Sequence, residues 1–246
     1  MDRSLSARLL PALLAVVAGS TDAIGFLGLG GLFTAHITGN LVVLAASAVT
    51  HGDAPLAVVL SVPVFMIVVV LTRLLAATLE SFDLPTLQPL LVLQSLLLVG
   101  FLALRVAVGP HIEPKAVNAV LAGMLGVAAM AVQNALVLIS LKGISSTAVM
   151  TTNVTRFALD VADVAIASDP RRRQEARTAA GHTWPQIVGF LLGCGIGAAS
   201  EAAFGSWSAA SPVTLAIVAA AIAFDRTPSA SIPDKQPSTG RVASSS

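Results

Sequence analysis

The feature that most constrains this chain is the spacing of its charges. Asp22 to Asp53, Asp53 to Arg73, Asp83 to Arg105, Lys115 to Lys142, Arg177 to Glu201 and Glu201 to Asp225 each enclose a stretch free of Asp, Glu, Lys and Arg. A helix needs about 20 apolar residues to cross the roughly 30 Å hydrocarbon core of a bilayer, and most of these stretches approach or exceed that length. Composition agrees: 55% of residues are hydrophobic, 11% are charged and mean hydropathy is +0.86, too little charge to coat a surface that faces water. Lipid offers no partner to a bare amide, so each segment must satisfy its own backbone as a helix or as part of a closed barrel. Runs such as Val58 to Leu71 and Leu90 to Leu104 lack the alternation of barrel strands. The expected fold is therefore all-α, a polytopic transmembrane helix bundle.

Spanning helices are expected near residues 9 to 32, 55 to 79, 87 to 108, 116 to 141, 185 to 204 and 210 to 225. Two weaker segments are a short apolar stretch, 37 to 50, and an interrupted one, 147 to 168. Arg3 and Arg8 before the apolar run Leu9 to Ala18 imitate a secretory signal, but that run continues through Asp22 into Ile24 to Phe33 and is read as an uncleaved first span. Residues 1–226 form one transmembrane domain, and the Ser-, Pro- and Thr-rich tail 227–246 is expected to be disordered. Cytoplasmic loops retain Lys and Arg, so Arg3, Arg8, Arg171, Arg172, Arg173, Arg177, Arg226, Lys235 and Arg241 place both termini and the loop after the fourth span in the cytoplasm.

An internal repeat bears on mechanism. Thr34 to Ala45 (TAHITGNLVVLA) aligns without gaps on Thr147 to Ala158 (TAVMTTNVTRFA) with five of twelve positions identical. With one residue inserted upstream, Asp22-Ala23 falls near Asn134-Ala135. The halves would be 7–110 and 115–226, a fused-repeat architecture found in transporters. Three spans per half would make the repeats inverted, four would make them parallel.

Asp22 is the sharpest single feature. A central Asp costs roughly 2.5–3.5 kcal/mol on insertion scales, so it must face the bundle interior or a watery cavity. It is either an ion, proton or substrate site or a polar staple. Gly25 to Gly31 can break the first helix, after which Thr38 and Asn40 are suited to cap a new one, and His36 could couple to Asp22. Gln133 and Asn134 sit in an uncharged helix and need interhelical partners, as glue or as ligands. Asn153, Arg156, Asp160 and Asp163 share one helical face, with Arg156 and Asp160 spaced to pair. That face marks an amphipathic helix at the cytoplasmic interface, or alternatively the lining of a cavity. Gly189, Gly193 and Gly197 form two successive GxxxG spacings, expected to serve internal packing, with a homodimer as the alternative. Cys194 is read as an inert small hydrophobe.

The sequence has no P-loop, HExxH, cysteine metal pair, G-x-S-x-G or nucleotide fingerprint, so neither metal nor cofactor is expected. A net charge of +1 gives no reason to expect a nucleic-acid partner. The run Gly19-Ser-Thr-Asp22-Ala-Ile-Gly-Phe26, continued by Gly30-Gly-Leu-Phe-Thr-Ala-His36-Ile-Thr-Gly-Asn40-Leu, with Gln133-Asn134-Ala135 and Thr151-Thr-Asn153, resembles the YoaK family of bacterial membrane proteins. The resemblance extends from Ala7 to about Phe224. It implies a multi-pass protein of the bacterial inner membrane with about six spans and supplies no substrate or catalytic residue. The second copy of the repeat has Val149 where the first has His36, so an imidazole role is not duplicated. The leading expectation is an ion-coupled or passive transporter or channel for a small solute, with Asp22, His36, Thr38, Asn40, Gln133, Asn134 and Asn153 lining its pathway. A membrane scaffold or partner subunit is the alternative. A lipid-acting intramembrane enzyme is third, since no nucleophile and base pair is visible.

Overall fold

The structure, a computed structural model, describes residues 3–50, 55–109, 116–141 and 150–225, with side chains from Leu9 onward. Eight α-helices follow one another: α1 (Arg3–Gly28), α2 (Ile37–Val49), α3 (Leu56–Ser81), α4 (Leu87–Val108), α5 (Val117–Ser140), α6 (Met150–Ile166), α7 (Pro170–Phe204) and α8 (Ala210–Phe224). A 3-10 turn at Gly205–Trp207 joins the last two, and no strand occurs among the described residues. Helices α1, α3, α4, α5 and α7 each contain a stretch long and apolar enough to cross a bilayer. Residues 142–149, which include the first residues of the second copy of the expected repeat, and the tail after 225 lie outside the described residues.

Two apolar clusters give each helix its direction. One gathers Leu10 and Leu14 of α1, Ala76 of α3, Leu90 and Leu91 of α4, Val132 and Leu136 of α5 and Ala219 to Ala223 of α8. The other gathers Val17 and Ile24, Ala57 and Val58, Leu98 and Phe101, Ala119 to Val127, and Ala209 to Ala216 of the same helices. Helices α1 and α4 therefore run one way and α3, α5 and α8 the other. Helix α8, 15 residues long, reaches from one cluster to the other.

Helix α7 runs parallel to α1 and touches it backbone to backbone. A Cβ at Gly189 would lie 2.6 Å from the Ala12 carbonyl oxygen, one at Gly197 would lie 2.5 Å from that of Ser20, and Gly193 is pressed as closely on Val16. The GxxxG stripe is thus filled by α1, as small-residue faces permit when no side chain intervenes. The Arg-rich stretch expected as a loop is instead the first part of α7. Asp169 caps that helix through Arg171 N–H, Pro170 occupies the first turn where its missing N–H costs nothing, and the helix continues past Pro185. Its 35 residues span about 52 Å, more than a bilayer core needs.

The packing repeats. Helix α1 lies on α7 and α3 on α5; α4 lies on α5 and α1 on α8; α2 lies on α3 and α6 on α7. Exchanging α1–α4 for α5–α8 in order converts each of these pairs into its counterpart, and the directions above make exchanged helices antiparallel. Helix α3 leaves Met66, Ile67, Val70, Leu71 and Leu74 exposed on its apolar face.

Candidate functional site

The site begins where α1 ends. Gly30 and Gly31 adopt positive φ (69° and 84°), and Gly31 N–H donates to the Phe26 carbonyl, a closure that stops the helix and turns the chain back along it. The returning segment passes so close that a Cβ on Gly25 would sit 2.8 Å from the Leu32 carbonyl oxygen. This brings Thr34, Ala35 and His36 down to Asp22, which is 4% exposed.

Asp22 Oδ1 accepts from Thr34 N–H (2.7 Å), Ala35 N–H (2.6 Å) and the Thr34 hydroxyl (3.0 Å), while Oδ2 lies 2.7 Å from His36 Nδ1. Every acceptor direction of Oδ1 is used, which compensates the burial of a charge. Because the carboxylate is an acceptor, Nδ1 carries the proton and Nε2 of a neutral imidazole is left as an acceptor. Nε2 makes no hydrogen bond among the described residues. The ring meets Phe190 edge-on at 5.3 Å and Phe33 at 6.4 Å between centroids.

His36 stands between two cavities. One, about 390 Å³, is lined by Asp22, Ala23, Phe26, Leu27, Phe33, His36, Phe190, Cys194 and Ala198. The other, about 250 Å³, is lined by Ala35, His36, Ile37 and Thr38, by Phe65 and Asn134, and by Met150 and Thr151. The second contains the amino-terminal ends of both short helices. Asn40 of α2 is bonded to Ser61 of α3, so these helices form an antiparallel hairpin; only three residues separate α6 from α7, on which it packs. Given the directions of α3 and α7, α2 and α6 leave the cavity toward opposite ends of the molecule. At 13 residues, about 20 Å, α2 is too short to cross.

Four expected site residues are therefore brought together: Asp22, His36, Thr38 and Asn134. The capping expectation needs correction, because His36 is the N-cap of α2, without a side-chain cap bond, and Thr38 lies inside the helix with its side chain exposed. Asn40 is a clamp instead: its Oδ1 accepts from Phe33 N–H (2.9 Å), and its Nδ2 donates to the Phe33 carbonyl (2.7 Å) and to Ser61 (2.8 Å). It fixes the turn that delivers Thr34 and His36. Asn153, the residue that the sequence alignment sets against Asn40, is also buried. Gln133 lies apart from the cavities, accepting from Gln94 Nε2 (2.7 Å) and donating to the Leu14 carbonyl (2.9 Å), which ties α4, α5 and α1. Asn134 lines the second cavity while its amide donates to Met130 O. In α6, Arg156 is exposed, Asp160 and Asp163 are half-buried, and the expected Arg156–Asp160 ion pair is not formed among the described residues.

One buried charge pair was missed. Arg105 and Glu201, read from the sequence as marks between spans, meet at 2.7 Å, with Arg105 1% exposed. Ser208 donates to Glu201, and Arg105 also reaches Gly205 O (3.3 Å) and stands over the Phe101 ring. Among the described residues its Nε and Nη1 have no hydrogen-bond partner. The only clue was that each charge was alone at the edge of a long apolar segment.

Apolar helices around a buried Asp bonded to a half-buried His, with two short helices beginning beside it, define a multi-pass helical membrane protein with a polar centre. The chain belongs to the family described as Protein of unknown function (DUF1275), whose model matches residues 10–223. No curated protein and no solved structure matches it.

Proposed function

We propose that the protein is a membrane transporter or channel built of two inverted halves, which binds a small solute in the cavity between α2 and α6. The single observation that carries this reading is the convergence of two short helices, by their amino-terminal ends and from opposite directions, on one cavity beside His36. Interrupted helices of this kind are the recurrent way in which transporters expose backbone at membrane depth. A helix start presents N–H groups without an intrahelical partner and the positive end of a dipole, and α2 begins at this cavity. The described lining of this cavity contains no carboxylate, Asp22 being on the other side of the imidazole, so the solute favoured there is an anion or carries an electron-rich group. The packing exchange between α1–α4 and α5–α8 supports a duplicated origin, with α1, α3 and α4 matched by α5, α7 and the shorter α8, and α2 matched by α6. In this reading both termini and Arg171 to Arg177 face the bacterial cytoplasm.

The test uses Thr38→Cys and Thr151→Cys, each in a Cys194→Ala background, labelled in sealed vesicles of either orientation with anionic and cationic methanethiosulfonates. Both positions react from at least one side, and the anionic reagent reacts faster than its cationic counterpart relative to a free thiol. Folded protein that reacts from neither side at either position has no water path to this cavity, and the scaffold reading then replaces transport.

A further inference from the structure

The larger cavity lies on the other side of His36 and differs in chemistry from the one between the short helices. We propose that it binds a lipophilic molecule bearing a single hydrogen-bond donor, an alcohol, phenol or undissociated acid, which enters from the bilayer. The inference does not depend on transport.

Its walls are Phe26, Phe33 and Phe190 with Ala23, Leu27 and Ala198. Phe26 and Phe33 pack with centroids 4.9 Å apart, and Phe190 meets the imidazole edge-on, so the rings form a continuous apolar surface. Phe26 and Leu27 are 44% and 56% exposed on an apolar helix, which puts the mouth against lipid tails rather than water. The volume, about 390 Å³, lies at the small end of ligand pockets, roughly 300–1,000 Å³.

Polarity inside this cavity comes from Asp22, His36 and the Cys194 thiol. Asp22 is saturated, with three donors on Oδ1 and the imidazole on Oδ2. With Nδ1 held by Asp22, Nε2 is the ring nitrogen left for a ligand, and above the imidazole's pKa, which the bond to Asp22 raises, it accepts, so a bound molecule completes the site by donating to it. Such a bond in an apolar enclosure is stronger than in water, where solvent competes for the same nitrogen. An anion is excluded by the apolar walls and the nearby carboxylate, while a hydrocarbon would leave Nε2 without a partner.

Cys194 is the only cysteine of the chain and lines this cavity, which makes it a built-in reporter. The experiment follows its alkylation by N-ethylmaleimide in the full chain, purified in detergent, with 1-decanol or decane at equal mole fraction in the micelle. Decanol is expected to slow alkylation severalfold and decane much less, and in His36→Phe the two become equal. A control thiol, Leu191→Cys with Cys194→Ala, sits on the exposed face of α7 and is expected to be insensitive. Equal slowing by decanol and decane in the unsubstituted protein, equal slowing at the control thiol, or no slowing overturns the proposal. Should His36→Phe fail to fold, a diazirine-bearing decanol photolysed on the unsubstituted protein decides. Adducts concentrated on Phe26 to Phe33 and Phe190 to Ala198 support the site, and adducts spread equally over the exposed face of α3 refute it.

Discussion

Replacing Asp22 separates its structural work from its chemical work. Asp22→Ala removes the acceptor for two backbone donors, Thr34 N–H and Ala35 N–H, in a turn with no other acceptor placed for them. A buried donor left unpaired costs about 1–3 kcal/mol, so the pair costs about 2–6 kcal/mol. The Thr34 hydroxyl can rotate to another acceptor and adds little. Asp22→Asn keeps an oxygen at Oδ1 and loses only charge assistance, about 1–2 kcal/mol. Each 1 kcal/mol moves the midpoint of a domain this size by about 2–4 °C, so the alanine change should lower it by about 4–24 °C and the asparagine change by much less. The assay is thermal unfolding in detergent, read by a fluorogenic maleimide on the half-buried Cys194. An alanine variant that melts with the parent protein, or an asparagine variant as damaged as the alanine one, would refute the reasoning. The asparagine change also reverses the polarity at His36. Its amide donates to Nδ1, the proton moves to Nε2, and a donor ligand loses its acceptor while the fold survives.

Other substitutions test the framework around this pair. Gly193→Val places methyl groups into the backbone of Val16 and should abolish the folded fraction recovered by size-exclusion chromatography, whereas Gly195→Val, on open space, should not. Arg105→Ala leaves Glu201 buried without its cation and should cost about 3–5 kcal/mol in denaturant titrations; the double change Arg105→Leu, Glu201→Leu should recover most of it, since a buried ion pair is often replaceable by apolar groups. Gln94→Leu combined with Gln133→Leu should cost less than Gln133→Leu alone, because the single change strands the Gln94 amide that now bonds to Gln133. If the double variant is the less stable in the same titration, the amides act separately.

The apolar framework was legible because a bilayer fixes helix length and polarity so tightly that the apolar segments read at 9–32, 55–79, 87–108 and 116–141 nearly reproduce the membrane-length stretches of α1, α3, α4 and α5. The break after α1 was legible too, since Gly30 and Gly31 can turn the chain where other residues would be strained. The partners of the polar residues were legible only in part. His36 was expected to couple to Asp22 and does, but the Thr34 and Ala35 amides that saturate the carboxylate lie 12 and 13 residues on, in a turn whose path depends on Asn40 holding Phe33. Arg105 and Glu201 are 96 residues apart and meet only because α4 and α7 end at the same level. The Arg-rich segment was misread for a simpler reason: its polarity excludes it from lipid but does nothing to prevent a helix from continuing into water. Thr38 and Asn40 were given capping roles by residue type alone, and the turn placed His36 at the cap instead.

The exchange of halves exposes one asymmetry with a consequence for motion. At the Arg171 end, Thr86 precedes α4 and Ser140 closes α5, and their hydroxyls are 2.8 Å apart. The corresponding places at the other end are Ala209 before α8 and Gly28 at the close of α1, neither of which has a hydroxyl. The Arg105–Glu201 pair fills that position: a Cβ on Gly28 would collide with both side chains, and Ser208, beside Ala209, donates to Glu201. Parting two hydroxyls costs about 0.5–1.5 kcal/mol, whereas stripping a partner from a buried ion pair costs about 3–5 kcal/mol. The Arg171 end should therefore open first, and amide hydrogen exchange in a bilayer nanodisc reads this directly. Amides near Thr86 and Ser140 should exchange faster than those near Gly28 and Ala209, and the difference should shrink in the Arg105→Leu, Glu201→Leu variant. Equal protection at the two ends in the unsubstituted protein would mean that the ion pair stabilises the fold without biasing which end opens.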